Sequence, residues 1–221
     1  MQSTSGFTEA LKKQQSIFHP VVPFDKEHDR LLELDFTAAN EELSVDILGD
    51  TTAFTTYIDN KLSAAGAVYG IGGYAEHRTV YSISPVFDGA NSADEPRRLH
   101  LGVDIWGKAN TPVMAPLEGT IHSFAFNNRF GDYGATIILA HTIGAFDFYT
   151  LYGHLSHASI STIAEGDVIK SGQLFASFGI PAENGCWPPH LHFQLIIDME
   201  SKKGDYLGVC KYSEQIGRAH V

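Results

Sequence analysis

Two histidines separated by one residue stand inside an apolar run, in the stretch WPPHLHFQL that covers Trp187 to Leu195. Histidine is costly to bury unless it is hydrogen-bonded or holds a metal. Successive side chains of a strand alternate between its two faces, so a strand here would point His190 and His192 the same way. The spacing therefore predicts a strand that presents two imidazoles to one site and packs Leu191 and Phe193 into the core.

Two further stretches carry polar side chains at spacings that suit catalysis. In RRLHLGVDIWG, His100 precedes Asp104 with Gly102 between them, and in DFYTLYGHL, His154 closes an aromatic-rich strand. By the same alternation, Tyr152 is expected on the same side of that strand as His154. A catalytic zinc site takes three protein ligands of imidazole or carboxylate type and leaves a fourth position to water. Two histidines and an aspartate meet this requirement, and two further histidines would transfer protons and stabilise a tetrahedral intermediate.

The composition indicates a chain with a substantial core and an acidic surface. Of its 221 residues, 43% are hydrophobic and 19% are charged, with 26 acidic against 15 basic side chains and a formal net charge of -11. No Lys/Arg stripe stands out, which argues against nucleic acid and anionic membranes as partners. No apolar run approaches the roughly 20 residues that a transmembrane helix needs. The oligomeric state is left open.

The N-terminal stretch MQSTSGFTEALKKQQSIF lacks the basic-then-apolar order of a secretory signal. The default expectation is a cytoplasmic protein, or one of the cell envelope or exterior if an upstream signal is missing or export is non-standard. The two cysteines, Cys186 and Cys210, make no disulfide framework. Reduced thiols are therefore expected.

The pattern along the chain predicts a mainly β fold with a mixed α/β extension at its N-terminus. The β-rich zone alternates short apolar runs such as ATIILAH and HLHFQLII with Gly/Pro/Asn/Asp turns. This spacing favours a compact antiparallel sheet or sandwich. The predicted zones are a mixed, mostly helical extension over 1–70, a glycine-rich connector over 71–96, a β core over 97–200, a C-terminal tail over 201–214 and a sequencing artefact over 215–221.

Two local patterns in the first two zones carry structural predictions. In DTTAFTTYIDNKL, four apolar side chains fall on one helical face, with Asp50 or Thr51 as the N-cap, while LLELDFT predicts a short strand. Gly70, Gly72 and Gly73 permit unusual backbone angles and would let a loop approach an active site closely.

The last six residues, IGRAHV, break the pattern of the chain. They match one reading frame of a widely used sequencing adapter, whose first two bases would also complete the codon of Gln215. We therefore expect the natural sequence to stop near Glu214 and its true C-terminus to be missing. His220 is accordingly left out of the candidate site residues.

Taken in order, the motifs resemble those of the M23 peptidases, the lysostaphin-like zinc metalloendopeptidases that cut peptidoglycan cross-bridges or stem peptides. The resemblance runs from about Arg97 to Asp198, slightly under half of the chain. It implies a compact antiparallel β core with a groove that holds one zinc ion. The matching stretches are HLGVDIWG, TPVMAPLEGTI, GDYGATIILAH, FYTLYGHL, EGDVIKSGQLFASFG and PPHLHFQL.

The resemblance also implies a role for each of five residues. His100, Asp104 and His192 would be the zinc ligands, and His154 and His190 would be the catalytic histidines. One of the two would act as general base on the zinc-bound water and the other would stabilise the oxyanion; the sequence does not divide these roles. The partner of the site would be peptidoglycan or a short peptide substrate.

Two positions depart from the family's pattern. The usual Gly-Pro before the paired histidines is Pro188-Pro189 here, and the usual Glu after the following Phe is Gln194. Neither position is a ligand. We therefore expect an altered groove shape or altered polarity around the ligands rather than loss of the metal.

Other functions remain open from the sequence. A catalytically silent M23-type fold would serve as a binding or regulatory module, although that requires a missing ligand or histidine and all five are present. The absent export signal allows a cytoplasmic zinc hydrolase with a non-wall peptide substrate. EGDVIKSGQLFASFG also looks like the hairpins of biotinyl and lipoyl carrier domains, but Lys170 lacks their flanking residues. The extension over 1–70 would inhibit the enzyme if it occluded the groove.

Overall fold

The computed structural model describes residues 4–88 and 94–217, with backbone alone for residues 4 and 215–217. Most of the predicted artefact over 215–221 therefore lies outside the described residues. The α-helices of the described part are α1 (Thr4–Lys13), α2 (Val45–Gly49) and α3 (Thr51–Ala65). Short 3-10 helices span Gln15–Ile17, Thr79–Ile83, Pro85–Phe87, His157–Ile160 and Tyr212–Gly217. The strands are β1 (Leu31–Leu34), β2 (Tyr69–Gly72), β3 (Leu99–His100), β4 (Val103–Trp106), β5 (Pro112–Met114), β6 (Gly119–Asn127), β7 (Gly134–Ile143), β8 (Phe146–Leu155), β9 (Val168–Ile169), β10 (Leu174–Ser177), β11 (His190–Ile196) and β12 (Val209–Cys210).

Eight of these strands form one sheet, in the order β1-β2-β4-β11-β8-β7-β6-β9. β1 and β2 pair in parallel, and the other neighbours in this sheet pair antiparallel. Two small antiparallel pairs, β5 with β10 and β3 with β12, lie beside it. The prediction of a mainly β, largely antiparallel fold is thus confirmed.

One face of the sheet carries the main hydrophobic core. Side chains of the central strands, among them Ile105, Leu139 and Leu191, are buried there against Phe178. Burying a side chain of this size stabilises the fold by roughly 1.5–3 kcal/mol. Because strand residues alternate in direction, the residues between these core positions project from the opposite face, where the candidate site lies.

Helix α3 covers part of that opposite face, at the β1–β2 end of the sheet. Its apolar stripe packs in a cluster that includes Trp106. The carboxylate of Asp50 accepts hydrogen bonds from two backbone N–H groups of the first turn, so Asp50 rather than Thr51 is the N-cap. The predicted helix is confirmed, and its buried side chains are Phe54, Ile58 and Leu62.

Strand β2 carries the sheet across the predicted zone boundary between residues 70 and 71. None of Gly70, Gly72 and Gly73 has a positive φ, so the unusual backbone angles that these glycines permit are not used. The lack of a side chain at Gly72 matters for a different reason. A Cβ at this position would lie 2.5 Å from Nη2 of Arg78, so glycine leaves room for a buried guanidinium.

The short strand, the two cysteines and the lack of a membrane span were also predicted from the sequence. The strand predicted in LLELDFT is β1. Cys186 is exposed and Cys210 is buried, and no disulfide joins them. Across residues 4–88 and 94–217, no helix has the length and apolar character required to span a membrane.

Candidate metal centre

Three adjacent strands in the middle of the sheet carry the central residues of the candidate site. β11 lies between β4 and β8, and its register places His192 opposite Asp104 on β4 and opposite Gly153 on β8. His190 and His192 line a groove on this face of the sheet, whereas Leu191 packs into the core. The predicted alternation of the paired histidines is confirmed.

His100, Asp104 and His192 bring three potential ligand atoms to one point, and all three side chains are buried. His100 Nε2 lies 2.9 Å from His192 Nδ1 and 3.2 Å from Asp104 Oδ1. His192 Nδ1 lies 3.1 Å from the same oxygen. Neighbouring ligand atoms in a tetrahedral zinc site with bonds of about 2.0 Å are about 3.3 Å apart. The observed spacing therefore suits one small divalent metal ion.

The hydrogen bonds on the far side of each ring determine which nitrogen carries a proton. His100 Nδ1 lies 3.0 Å from the carbonyl oxygen of Gly73, which can only accept, so Nε2 of the neutral ring is unprotonated. His192 Nε2 lies 3.1 Å from Oε1 of Gln194, whose amide nitrogen donates to the carbonyl of Leu207. Nδ1 of the neutral His192 ring is therefore unprotonated as well. Three acceptor atoms then face one another, and this arrangement fits a metal ion between them.

A buried arginine holds the carboxylate of Asp104. Arg78 is 1% exposed, its Nη1 donates to Oδ2 of Asp104, and its Nε donates to Oε2 of Glu76 at 2.6 Å. The other carboxylate oxygen of Asp104, Oδ1, therefore faces Nε2 of His100 and Nδ1 of His192. Burial works against the charged form of Asp104, but His100 and Arg78 outweigh it and hold the pKa of this carboxyl well below its usual value.

Sequence reasoning missed Arg78, which lies within the predicted connector. The one usable signal was the glycine pattern of that connector, since Gly72 makes room for the guanidinium. A second glycine, Gly102, leaves room in a similar way beside the candidate ligands. A Cβ at Gly102 would lie 2.6 Å from Nε2 of His192, so position 102 must be a glycine for the imidazole to fit.

His154 and His190 lie side by side at the groove, with ring centroids 4.1 Å apart. His190 is also stacked on Trp106, at 3.9 Å between centroids and 14° between planes. Nδ1 of His154 lies 2.8 Å from the carbonyl oxygen of Asn184, and Nδ1 of His190 lies 2.8 Å from that of Pro188. Each Nδ1 is therefore the donor, and Nε2 of each neutral ring is free to accept a proton.

Burial keeps these rings neutral. It lowers the pKa of His190 to about 4. Burial, together with the neighbouring His190, lowers the pKa of His154 well below its usual value. Burial and the charge of Arg78 lower the pKa of His100 to about 4. At neutral pH all three rings thus offer an unprotonated nitrogen, which is the state that accepts a proton or binds a metal.

His154 has a positive φ of 61°, which is uncommon for a residue other than glycine. The prediction that Tyr152 lies on the same side of the strand is wrong for this reason. Tyr152 is buried in the core with its ring centroid 5.4 Å from that of Phe193, whereas His154 lines the groove. The left-handed residue breaks the alternation at the end of β8, and backbone strain of this kind is concentrated at functional sites.

The walls of the groove come from several parts of the chain. One wall includes the 3-10 helices of the predicted connector, and another includes residues 205–209 of the predicted C-terminal tail. Aromatic and charged side chains share these walls, so the groove offers both apolar surface and hydrogen-bonding groups to a peptide. The aromatic members are Tyr81, Phe87, Trp106, Tyr133, Trp187 and Tyr206, and charged members besides Asp104 and Arg78 are Arg97, Arg129, Asp132, Lys202 and Asp205.

Comparison with known proteins places this site in a family. Residues 98–205 match the model of peptidase family M23. The chain is 29% identical over 109 residues to an L-Ala--D-Glu endopeptidase of Bacillus subtilis (strain 168), covering 46% of this chain and 31% of the relative. It is 33% identical over 101 residues to an uncharacterized metalloprotease of Haemophilus influenzae, covering 46% of this chain and 19% of the relative. The chain thus spans less than a third of the length of these two relatives.

Among solved structures, the catalytic domain of lysostaphin from Staphylococcus simulans is similar with a TM-score of 0.42 and 22% identity, over 74% of this chain and 98% of that chain. The segment matched by the family model contains all five candidate site residues, whereas Gly73 and Arg78 precede it. Residues 98–205 of this chain belong to peptidase family M23.

Proposed function

We propose that this protein is a zinc-dependent metalloendopeptidase that hydrolyses peptide bonds in peptidoglycan cross-bridges or stem peptides. The observation that carries the proposal is the convergence of unprotonated ligand atoms from His100, Asp104 and His192 beside two neutral histidines. The family of residues 98–205 supports peptide hydrolysis. The L-Ala--D-Glu endopeptidase among the relatives supports a peptidoglycan substrate, since such bonds belong to stem peptides.

His100, Asp104 and His192 would hold the metal. Two imidazoles, one carboxylate and an open fourth position are typical of catalytic zinc, and a bound zinc ion lowers the pKa of a water ligand and polarises a carbonyl. The chain contributes by lowering the pKa of His100 and of Asp104, which keeps their ligand atoms unprotonated at neutral pH. It also orients each ligand through a hydrogen bond on its far side.

His154 and His190 would carry the proton transfers. Each holds its Nδ1 proton against a backbone carbonyl and can accept a second proton at Nε2. A ring protonated in this way can donate a hydrogen bond to the oxyanion that develops at the scissile carbonyl, or can pass its proton to the departing amine. We propose that the two histidines divide the roles of general base and oxyanion stabiliser between them. A peptidoglycan substrate would also place the protein's action in the cell envelope or outside the cell.

Metal stoichiometry by elemental analysis tests the proposal first. We expect close to one zinc per chain in the wild type and a loss of zinc in His192→Ala. His141→Ala is a matched control, because His141 is also buried and hydrogen-bonded, to Thr150, but does not line the groove. Absence of zinc from the wild type, even after reconstitution, would contradict the proposal.

The substrate is tested by incubating the zinc-loaded protein with muropeptides and identifying products by mass spectrometry, with His154→Ala as the inactive control. Cleavage by the wild type alone would support peptidoglycan hydrolysis and would identify the scissile bond. Zinc binding without cleavage of any muropeptide would argue instead for a non-wall peptide substrate or for a silent binding module.

A further inference from the structure

The segment matched by the M23 model does not supply all the contacts of its own metal site. Residues 73–78 precede that segment and touch two of the three candidate ligands. The carbonyl oxygen of Gly73 accepts from Nδ1 of His100 at 3.0 Å, and the carbonyl oxygen of Glu76 accepts from the backbone N–H of His100 at 2.9 Å. Arg78 donates to the carboxylate of Asp104.

We infer that Arg78 is a positioning residue that holds Asp104 as a one-oxygen ligand of the metal. The inference rests on the proposed metal-binding function. A free carboxylate can approach a metal ion with one oxygen or with both. Because Nη1 of Arg78 engages Oδ2, only Oδ1 faces His100 Nε2 and His192 Nδ1. This arrangement keeps one position of the metal open for water or substrate.

The guanidinium is itself fixed by several contacts. Its Nε donates to Oε2 of Glu76, and the other oxygen of Glu76 accepts from the backbone N–H of Phe36 at 3.1 Å. The guanidinium carbon lies 5.1 Å from the ring centroid of Phe36 and 5.9 Å from that of Tyr81. Nη1 also donates to the hydroxyl of Tyr81 at 3.3 Å. Asp104 is thus linked through Arg78 and Glu76 to the backbone of the N-terminal extension.

Arginine suits this position because its planar fork binds two carboxylates at fixed angles. Lysine would keep the positive charge but presents a single ammonium on a flexible stem, so it cannot reproduce both contacts in the same geometry. A buried carboxylate that loses its partner is destabilised. Replacement of Arg78 should therefore release Asp104 from its orientation, and lysine should not restore it fully.

The experiment compares the full chain with Arg78→Lys, Arg78→Met and the control Arg98→Met. Arg98 is matched because it also pairs with an aspartate, Asp88 at 2.8 Å, and lies close to His100 in the chain, but its guanidinium has none of the three candidate ligands as a hydrogen-bond partner. Each protein is stripped of metal, checked for folding by circular dichroism, and titrated with Zn²⁺ against a chromophoric chelator. Cobalt(II) is then loaded, and its visible absorption reports the coordination number.

We expect the loss of this outer hydrogen bond to weaken zinc binding about 10–100-fold in Arg78→Met, and about 10-fold in Arg78→Lys. The cobalt band should weaken in both, as it does when a second carboxylate oxygen joins the metal. Arg98→Met should retain wild-type affinity and the wild-type cobalt spectrum. A merely structural arginine would change thermal stability without changing the cobalt spectrum.

Unchanged zinc affinity and an unchanged cobalt band in folded Arg78→Lys or Arg78→Met would overturn the inference. If Arg78→Met does not fold, Arg78→Lys decides the question. Failure of both to fold with zinc as well as without it would also overturn it, because Arg78 would then be required for folding rather than for positioning. Absence of metal binding in the wild type refutes the proposed function itself, so the two failures are distinguishable.

Discussion

Residues 98–205 and residues 69–81 contribute to the same site in different ways. The first segment supplies the three candidate ligands and the two histidines beside them. The second supplies none of these, but it provides the acceptor behind His100 and the guanidinium behind Asp104. The family pattern therefore marks the atoms that face the reacting centre. The atoms that orient His100 and Asp104 come from a strand and a loop for which the sequence shows no comparable motif, whereas Gln194 of the first segment orients His192.

The largest effect on turnover should come from the first segment. Changing His154 or His190 to Gln is expected to lower kcat about 10²–10⁴-fold, because either change removes a group to which we assign proton transfer or oxyanion stabilisation. Zinc content should stay near the wild-type value, since neither side chain belongs to the ligand cluster. Steady-state kinetics with elemental analysis makes the measurement, and the exposed His157 provides a control as His157→Gln. Full activity in both variants would contradict the assignment of catalytic roles to histidines of the first segment.

The stability of the metal-free protein should depend on pH through histidines anchored in both segments. His100 is bonded to Gly73 of the second segment and His190 to Pro188 of the first, and both have a pKa lowered from 6.5 to about 4. Between these two values the unfolded chain binds more protons than the folded chain. Stability should therefore fall as pH drops from about 6.5 to about 4, by about 1.4 kcal/mol per pH unit for each histidine.

Urea denaturation of the metal-free chain at pH 7, 6 and 5 checks this expectation. The carboxyl of Asp104 should not alter the trend, because its pKa lies well below 3.8 and its stabilising contribution persists above that range. His190→Phe, which keeps an aromatic ring on Trp106 but cannot titrate, should show a shallower slope. A stability independent of pH over this window would show that these rings bind protons equally in the folded and the unfolded chain, and would contradict their lowered pKa values.

Gly72 and Gly73 of the second segment allow a test of whether the position of Arg78 affects metal binding. Gly72→Ala should weaken zinc binding about 10-fold, because the new methyl group would lie 2.5 Å from Nη2 of Arg78 and displace the group that orients Asp104. Gly73→Ala is the matched control, since its methyl group would meet Glu76 at an ordinary 3.6 Å. Chelator competition measures both. Equal affinities in the two variants would indicate that the position of Arg78 does not matter for the metal.

The smallest effect should come from Tyr133, a support for His192 that lies within the first segment. Its hydroxyl is 3.4 Å from Nε2 of His192, a long distance for a hydrogen bond, while Gln194 already accepts from that nitrogen at 3.1 Å. Tyr133→Phe should therefore change zinc affinity by less than about threefold, given the weakness of so long a contact. A larger loss would show that the first segment orients its own ligands as strongly as the second does.

The arrangement of the paired histidines was predictable because it depends on local geometry alone. The two-residue period of a strand suffices to place His190 and His192 on one face and Leu191 on the other. The helix over residues 51–65 was predictable for the same reason, although the sequence left its N-cap open between Asp50 and Thr51.

Contacts between distant parts of the chain were not predictable in this way. The pairing of Arg78 with Asp104 depends on β2 packing beside β4, and nothing in the local pattern specifies that pairing. The side on which His154 lies depends on a left-handed backbone conformation, which departs from the alternation that correctly described β11. The three-residue cluster itself could be anticipated only through the resemblance to a family, since His100 and His192 lie far apart in the chain.

The stacking of His190 on Trp106 has a consequence for spectroscopy. The chain has two tryptophans, Trp106 and Trp187, and both line the groove. Intrinsic fluorescence excited at the indole band therefore originates entirely beside the candidate site. A protonated imidazole quenches a stacked indole, so protonation of His190 is expected to lower the emission of Trp106. Proton uptake by His190, or the binding of a ligand in this groove, is thus expected to change the emission of the unlabelled protein.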